Sequence, residues 1–423
     1  LKGHAAEVTA GVGPATLDLQ ELLPLAAPFL PRGLAVRLGG PKRPASLTLQ
    51  RLDVAGPVSG GARRVALQGL AISLPRFGVT SGARTEVSGG DLALSVERLV
   101  GGLAGFFPER LALQAAFRCG RLRITGAQAI AVDGLEALAS KLELADIARS
   151  RGFLGATLRG NGTHALAVRR LEIPGVARVR GYRHAGEGEF AIRAGDVVSL
   201  RLKRGTVSAA SVSAEVSRAG TSIRLDAAGA RPAVAGEMRG LRVSGPFPDG
   251  PTPIELDHVT LALPRLAAKR GAGEVTAEGL KVALDLLTAS LVRQFPERIA
   301  LRAAAGLDRL DLRGDRQASI RGLDLASLEV GVSEIARAGA ELLGVAAKVR
   351  LSQALTVKEM ALPAARLTGV SHSVKLGGAF DAKGSAQLAV EAFALGFGSV
   401  KTEVPGVGSV QTAARIGGRL DRV

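Results

Sequence analysis

Five histidines, His4, His164, His184, His258 and His372, and one cysteine, Cys119, are the side chains best suited to metal ligation or nucleophilic chemistry. None pairs with another His or Cys at ligand spacing, and a single cysteine excludes an intrachain disulfide and any Cys-based zinc site. Cys119 reads as a small buried hydrophobe. Ser371-His372-Ser373 sets hydroxyls beside an imidazole, but no Gly-x-Ser-x-Gly elbow surrounds it, and strand neighbours face opposite ways. Phosphate loops and strand-linked dinucleotide fingerprints are missing, so nucleotide binding has no support. Glu109-Arg110 and Glu297-Arg298 recur in step immediately after Phe-Pro, which favours a solvated pair at a structural corner over a catalytic one. The residues point to a protein that is not an enzyme, with no cofactor and no metal.

The charge raises a different chemistry. A formal charge of +17 suits an anionic partner, either nucleic acid or a membrane surface. Single-strand stacking wants aromatics beside the basic groups, yet aromatics are 3% with no Trp, so nucleic acid is an unlikely partner. The arginines are spread in ones and twos and read first as solvated strand faces, then as contacts to anionic lipid headgroups. No run reaches the roughly 18 apolar residues of a membrane-spanning helix. The chain opens at Leu1 without a leader and reads as a fragment or processed piece, any membrane anchor being expected outside it.

These residues must be held by repeated elements. Phe107-Pro108-Glu109-Arg110-Leu111-Ala112-Leu113 returns as Phe295-Pro296-Glu297-Arg298-Ile299-Ala300-Leu301, and a looser copy is Phe29-Leu30-Pro31-Arg32-Gly33-Leu34. Residues 17–36 match 94–113 at a shift of 77, which predicts the same strand–helix–strand unit in both. The helical piece is read from Leu22, Leu23, Leu25 and Ala26 in the first copy, kept short by Pro24, Pro28 and Pro31, and over 97–106 in the second. Leu99, Leu103, Phe107 and Leu287, Leu291, Phe295, at i, i+4, i+8, read as helical faces docked on a sheet. Leu135, Leu138, Leu142 and Ile147 suggest one more helix. The phase change between Leu67 and Leu70 predicts a bulge or break near Gly69, 107–126 read as two strands parted at Gly120, and Asn161-Gly162 reads as a hairpin turn in preference to a glycosylation sequon.

The second half repeats the first at shifts of 188 to 189 over more than a hundred positions. Pro75 becomes Pro264, Asp146-Ile147-Ala148-Arg149 becomes Glu334-Ile335-Ala336-Arg337, and Leu166 with Val168 becomes Leu355 with Val357. A drift of one residue over that length indicates tandem duplication. Residues 1–212 and 213–423 are therefore read as two repeat halves of a continuous sheet. Within them a strand motif recurs: Arg51-Leu52-Asp53-Val54-Ala55-Gly56, Arg121-Leu122-Arg123-Ile124-Thr125-Gly126, Gly240-Leu241-Arg242-Val243-Ser244-Gly245 and Arg309-Leu310-Asp311-Leu312-Arg313-Gly314. Its alternation makes one face dry and the other wet and often basic. Repeats that cannot bury their own apolar face stack into a shared interior. The fold class is thus mainly β with short helices, an elongated repeat architecture whose mostly antiparallel, twisted sheet forms a trough or rod, built from a duplication of about 189 residues. About thirty strands at 4.8 Å would run on the order of 140 Å.

The units Leu17-to-Val36 and Leu94-to-Leu113, with their Arg-Leu-x-Val-x-Gly strands, resemble the AsmA/TamB-type repeats of bacterial envelope proteins. The resemblance implies a curved sheet with an apolar inner face along which phospholipid acyl chains pass between membranes, in the cell envelope or periplasm. The groove would be lined by Leu52, Val54, Leu70, Ile72, Leu74, Leu122, Ile124, Leu241, Val243, Leu261, Leu263, Leu310 and Leu312. The same residues form an ordinary dry core if the sheet closes. That alternative is a structural scaffold or fibre protein with no ligand, self-associating in a secreted or surface assembly.

Overall fold

A computed structural model describes residues 7–26, 34–39, 43–57, 62–81, 85–104, 107–126, 129–149, 155–193, 197–218, 221–228, 232–246, 250–292, 295–314, 317–337, 345–381, 385–404, 408–412 and 415–416. Among these the protein is almost entirely strand, with 26 strands and one helix, and the pairings are antiparallel. The chain divides into Leu1–Val207 and Ser208–Val423.

In the first unit, short strands β1 (Glu7–Val12), β2 (Ala15–Asp18), β3 (Leu34–Leu38), β4 (Ser46–Leu49) and β5 (Arg51–Pro57) lead to long ones: β6 (Ala62–Ser81), β7 (Thr85–Ala104), β8 (Phe107–Thr125), β9 (Ile130–Arg149), β10 (Ala156–Ile173) and β11 (Ala177–Arg193). From β6 to β11 each strand pairs with the next as a meander, while β3, β4 and β5 share the other edge of β6. β12 (Val197–Ala209) follows, and its Lys203 pairs with Glu187 and Glu189 of β11. Helix α1 (Leu19–Ala26) forms where expected: the Asp18 carboxylate accepts from Gln20 N–H at 2.8 Å, and Pro24 lies inside the helix.

The second unit holds β13 (Ser211–Arg218), β14 (Thr221–Ala227), β15 (Val234–Pro246), β16 (Thr252–Leu256) and β17 (His258–Arg270), then the long β18 (Gly273–Val292), β19 (Phe295–Arg313), β20 (Ala318–Arg337), β21 (Val345–Leu362) and β22 (Ala365–Phe380). β23 (Ala386–Gly396), β24 (Ser399–Val404), β25 (Gly408–Thr412) and β26 (Arg415–Ile416) close it. Its irregularities copy those of the first unit. Register shifts at Val96/Arg98, Gly102/Leu103 and Ala115/Phe117 recur at Leu284/Leu286, Ser290/Leu291 and Ala303/Ala305, each 188 residues on. Asp146 and Glu334, likewise 188 apart, both stand at φ 55°.

Several sequence readings are corrected. The expected helices at 97–106, as far as Ala104, and at 135–149 are strand, within β7 and β9. An i, i+4, i+8 spacing is even, so it fits one face of a strand as well as one face of a helix, and bulges supply the odd steps. The 77-residue repeat therefore does not recur as strand–helix–strand; where the first copy has Pro24, the second has Gly101, which pairs with Val65 and Leu111. Phe107-Pro108 and Phe295-Pro296 begin strands beside a register shift, since proline supplies no ladder donor, and the Phe29-Pro31 copy lies outside the described residues.

Asn161-Gly162 is not a turn. Both residues lie inside β10, Asn161 between Glu143 and Glu189, and a Cβ on Gly162 would come 3.0 Å from the Lys141 carbonyl, a tight contact. The turn is at 174–176, closed by Val176 N–H to the Ile173 carbonyl at 3.0 Å. Near Gly69 the irregularity appears as expected, at φ 65° within an unbroken β6. At Gly120 the strand does not part: β8 runs through it.

Gly120 belongs to a line that crosses the long strands. Pro75, Asp91, Gly120, Gly134, Arg169 and Gly181 face one another from β6 to β11, and Asp91, Gly134 and Gly181 have φ of 54°, 62° and 61°. The second unit has the same line at Pro264, Gly279, Asp308, Gly322, Lys358 and Gly369, with φ of 67°, 57° and 58° at its glycines. A residue near φ +60° interrupts the alternation of an extended chain. This is why the apolar residues run Leu92, Leu94, Val96 on one side of the line and Val87, Gly89 on the other.

Candidate functional site

Cross-strand pairing gathers the apolar side chains into rows, because directly opposed residues share a face. Leu47, Ile72, Leu94, Phe117, Ala137, Leu166 and His184 form one row from β4 to β11. Leu74, Leu92, Cys119, Leu135, Val168 and Tyr182 form the next. Beyond the line come Phe77, Gly89, Leu122, Val132, Leu171 and Val179, then Val79, Val87, Ile124 and Ile130. Leu52 joins Val12, Leu67 and Leu99, Val54 opposes Val65, and Leu70 opposes Val96.

In the second unit Leu261, Val282, Ala305, Leu325, Leu355, His372 and Leu395 repeat the row of Ile72. Leu263 meets Leu280, Leu310 lies between Ala277 and Ile320, and Leu312 between Val275 and Ala318. Val243 meets Ile254, with Leu241 two residues away on β15.

Every one of the proposed groove residues is half-buried. Among the described residues the hydrophobic side chains buried fully are mostly small, Ala45, Ala209, Ala227, Ala233 and Ala277, with Cys119, Val168, Leu256 and Val357. The rows of Leu, Val and Ile thus keep part of their surface in contact with solvent. Cys119, 2% exposed, sits in the best-covered row; burial pushes its thiol up, and its Sγ donates to the Arg121 carbonyl at 3.1 Å.

The opposite side chains are polar and carry exposed ion pairs, including Arg159–Asp146 at 2.6 Å, Arg302–Glu329 at 3.0 Å and Arg242 to Glu255 and Asp257 at 3.0 and 2.9 Å. Such pairs contribute little stability and keep the polar face solvated. Glu172, held by Arg178 and Arg170, has its carboxyl below the usual range. Glu109, Arg110, Glu297 and Arg298 are exposed strand residues.

One juxtaposition escaped the sequence reading, which placed no histidine beside another. His164 and His184 stand diagonally across β10 and β11, Nε2 to Nδ1 3.1 Å, with ring centroids 4.8 Å apart. Gly186, directly opposite His164, leaves room for the ring. Burial, and then the charge of His184, pushes the His164 imidazole below its usual range. The available signal was their near-symmetric placement about Pro174-Gly175. His372, the counterpart of His184 at a shift of 188, packs edge-on against Phe393 at 5.4 Å, while its neighbours Ser371 and Ser373 pair with Gly396 and Ala394. Among the described residues no three His, Cys, Asp or Glu side chains cluster as a metal site, and no helix is long and apolar enough to cross a membrane. Comparison of the chain with protein-family models, with curated proteins and with solved structures found no match.

Proposed function

We propose that the aliphatic rows bind lipid acyl chains, making the chain a non-enzymatic lipid-binding or lipid-conduit protein. The observation that carries this reading is the row pattern itself: side chains of Leu, Val and Ile aligned across successive strands, half-exposed instead of sealed in a core. Such surface stays in water unless an apolar ligand or partner covers it. An unbranched acyl chain suits it because the rows are almost wholly aliphatic, offering a continuous strip with few polar atoms. The basic excess on the alternate side chains suits anionic headgroups. The resemblance to AsmA/TamB-type repeats leads to the same ligand and to a place in the bacterial envelope. A closed-core scaffold, the other expectation, has less support because so few large apolar side chains are buried.

Covering half the methylenes of a sixteen-carbon chain is worth about 6 kcal/mol at ~0.8 kcal/mol each, a dissociation constant of roughly tens of micromolar. The test is organic extraction of the purified protein with mass spectrometry, alongside titration with a fluorescent phospholipid. Ile72→Glu and Leu122→Glu should lower uptake while circular dichroism remains that of the parent. A lipid-free preparation that takes up no added lipid defeats the reading.

A further inference from the structure

The duplicated units differ at one hollow, and the difference points to an anion site. In the first unit Arg76 of β6 and Arg121 of β8 flank Gly90 of β7 as directly opposed residues, and Arg123 lies opposite Ser88 one step along. With Arg43 they line a hollow of about 840 Å³ that Pro75 and Ser88 also border. Gly90 has no side chain to fill it. Among the described residues none of these four guanidinium groups has a hydrogen-bonded or ion-paired partner, and the one carboxylate on the lining is Asp91.

At shifts of 188 and 189 the same framework is neutralised from within. Arg76 and Arg121 correspond to Arg265 and Arg309, but Gly90 corresponds to Glu278, which stands opposite both. Arg123 corresponds to Asp311, which pairs with Arg309 at 2.8 Å. Bonding to Asp311 foremost, with a smaller pull from Glu278, holds the Arg309 guanidinium above its usual range. A hollow of about 440 Å³ borders this framework at Pro264, Arg265, Glu278 and Gly279, but neither Arg309 nor Asp311 lines it. Two carboxylates that complete the second unit are replaced in the first by a gap and an arginine, while Asp133, opposite Arg121 on β9 but not bonded to it, stands where the second unit has Arg321 opposite Arg309.

We propose that the hollow at Arg76, Arg121, Arg123 and Arg43 binds a phosphate group, whose oxygens take the place held in the second unit by the carboxylates of Glu278 and Asp311. Guanidinium forks match phosphate oxygens in pairs, and the gap over Gly90 admits a tetrahedral group between two of them. The phosphate is either free or the headgroup of a lipid; both present the same oxygens to the same forks. This site does not rest on the acyl-chain reading, since inorganic phosphate alone tests it.

The decisive variant gives the first unit the residues of the second: Gly90→Glu with Arg123→Asp, a change the duplicated framework already accommodates. A charge-matched control, Arg298→Glu with Arg110→Gln, removes the same charge at exposed sites elsewhere. Calorimetric titration with inorganic phosphate, and flotation with phosphatidylcholine vesicles with and without phosphatidic acid, are run on the full chain. The expected result is binding weakened about tenfold or more in G90E/R123D and retained in the control. Loss in the phosphate titration identifies a site open to free phosphate; loss only in phosphatidic acid-dependent flotation identifies a headgroup site. No binding of either probe by the parent, or equal weakening in the control, overturns the proposal.

Discussion

Asp91 and Gly120 oppose each other on the transverse line of the first unit, and Gly279 and Asp308 do so in the second with the residues exchanged. The space holds one aspartate. A Cβ on Gly120 would lie 3.0 Å from the Asp91 Cβ and 3.1 Å from its Oδ2, and a Cβ on Gly279 would lie 1.9 Å from the Asp308 Oδ2. Gly120→Asp should therefore force two carboxylates into one site. Overpacking costs about 1–3 kcal/mol. Like-charge repulsion between exposed groups adds roughly 0.5–1 kcal/mol once solvent screening is allowed for. Asp91→Gly alone should be close to neutral, since relief of the strain at φ 54°, about 1 kcal/mol, offsets the added freedom of the unfolded chain. The double variant D91G/G120D reproduces the second unit and should recover most of the loss, a coupling energy of about 2 kcal/mol. Strand arrays open locally, so the readout must be local. Cys119, the single and buried cysteine next to Gly120, provides it through its labelling rate with a thiol reagent under native conditions. G120D should speed labelling roughly thirtyfold or more, and D91G/G120D should return it to within a few-fold of the parent. Equal labelling of G120D and the parent, or a double variant as fast as G120D, refutes the exchange argument.

Two further outcomes follow from the same geometry. His164 has its imidazole below the ordinary value of 6.5, so the unfolded chain binds the more protons just below that pH, and stability should fall as pH drops through 6.5 toward the lowered value. His164→Gln, the residue found at the corresponding Gln353, should remove that slope, as followed by denaturant midpoints across pH; an unchanged slope contradicts the assignment. Inserting a short Gly/Ser segment after Gly175 should lower stability by only about 0.6 kcal/mol per doubling of the loop, whereas the same insertion after Asn161 should abolish the β9–β10–β11 pairing, read by amide exchange. Tolerance at Asn161 would reinstate the hairpin reading.

The duplication was legible because it leaves a residue-level trace: prolines, glycines and apolar positions recur 188 to 189 residues on, and the register shifts of the structure recur with them. Strand alternation in the Arg-Leu-x-Val-x-Gly motifs was legible for the same reason. Helix against strand was not, because Leu99 and Leu103 are separated by four, a spacing both geometries place on one face. Asn161-Gly162 carries a strong local turn signal that is overridden once strands on both sides satisfy its backbone. The arginine hollow could have been found by comparing the halves, since Gly90 against Glu278 and Arg123 against Asp311 are plain in the aligned sequences.

By itself the sequence determined that the chain is built from duplicated antiparallel strands with an apolar side and a basic side, because alternation and repeat spacing are properties of the covalent order. Only the tertiary structure decided which residues meet. Register brings His164 onto His184, sets Asp91 against Gly120 and leaves the guanidinium groups around Gly90 without a hydrogen-bonded or ion-paired partner. Those contacts depend on the bulges and left-handed residues that reset each strand's phase, and a strand's phase can be judged only against the neighbour it pairs with.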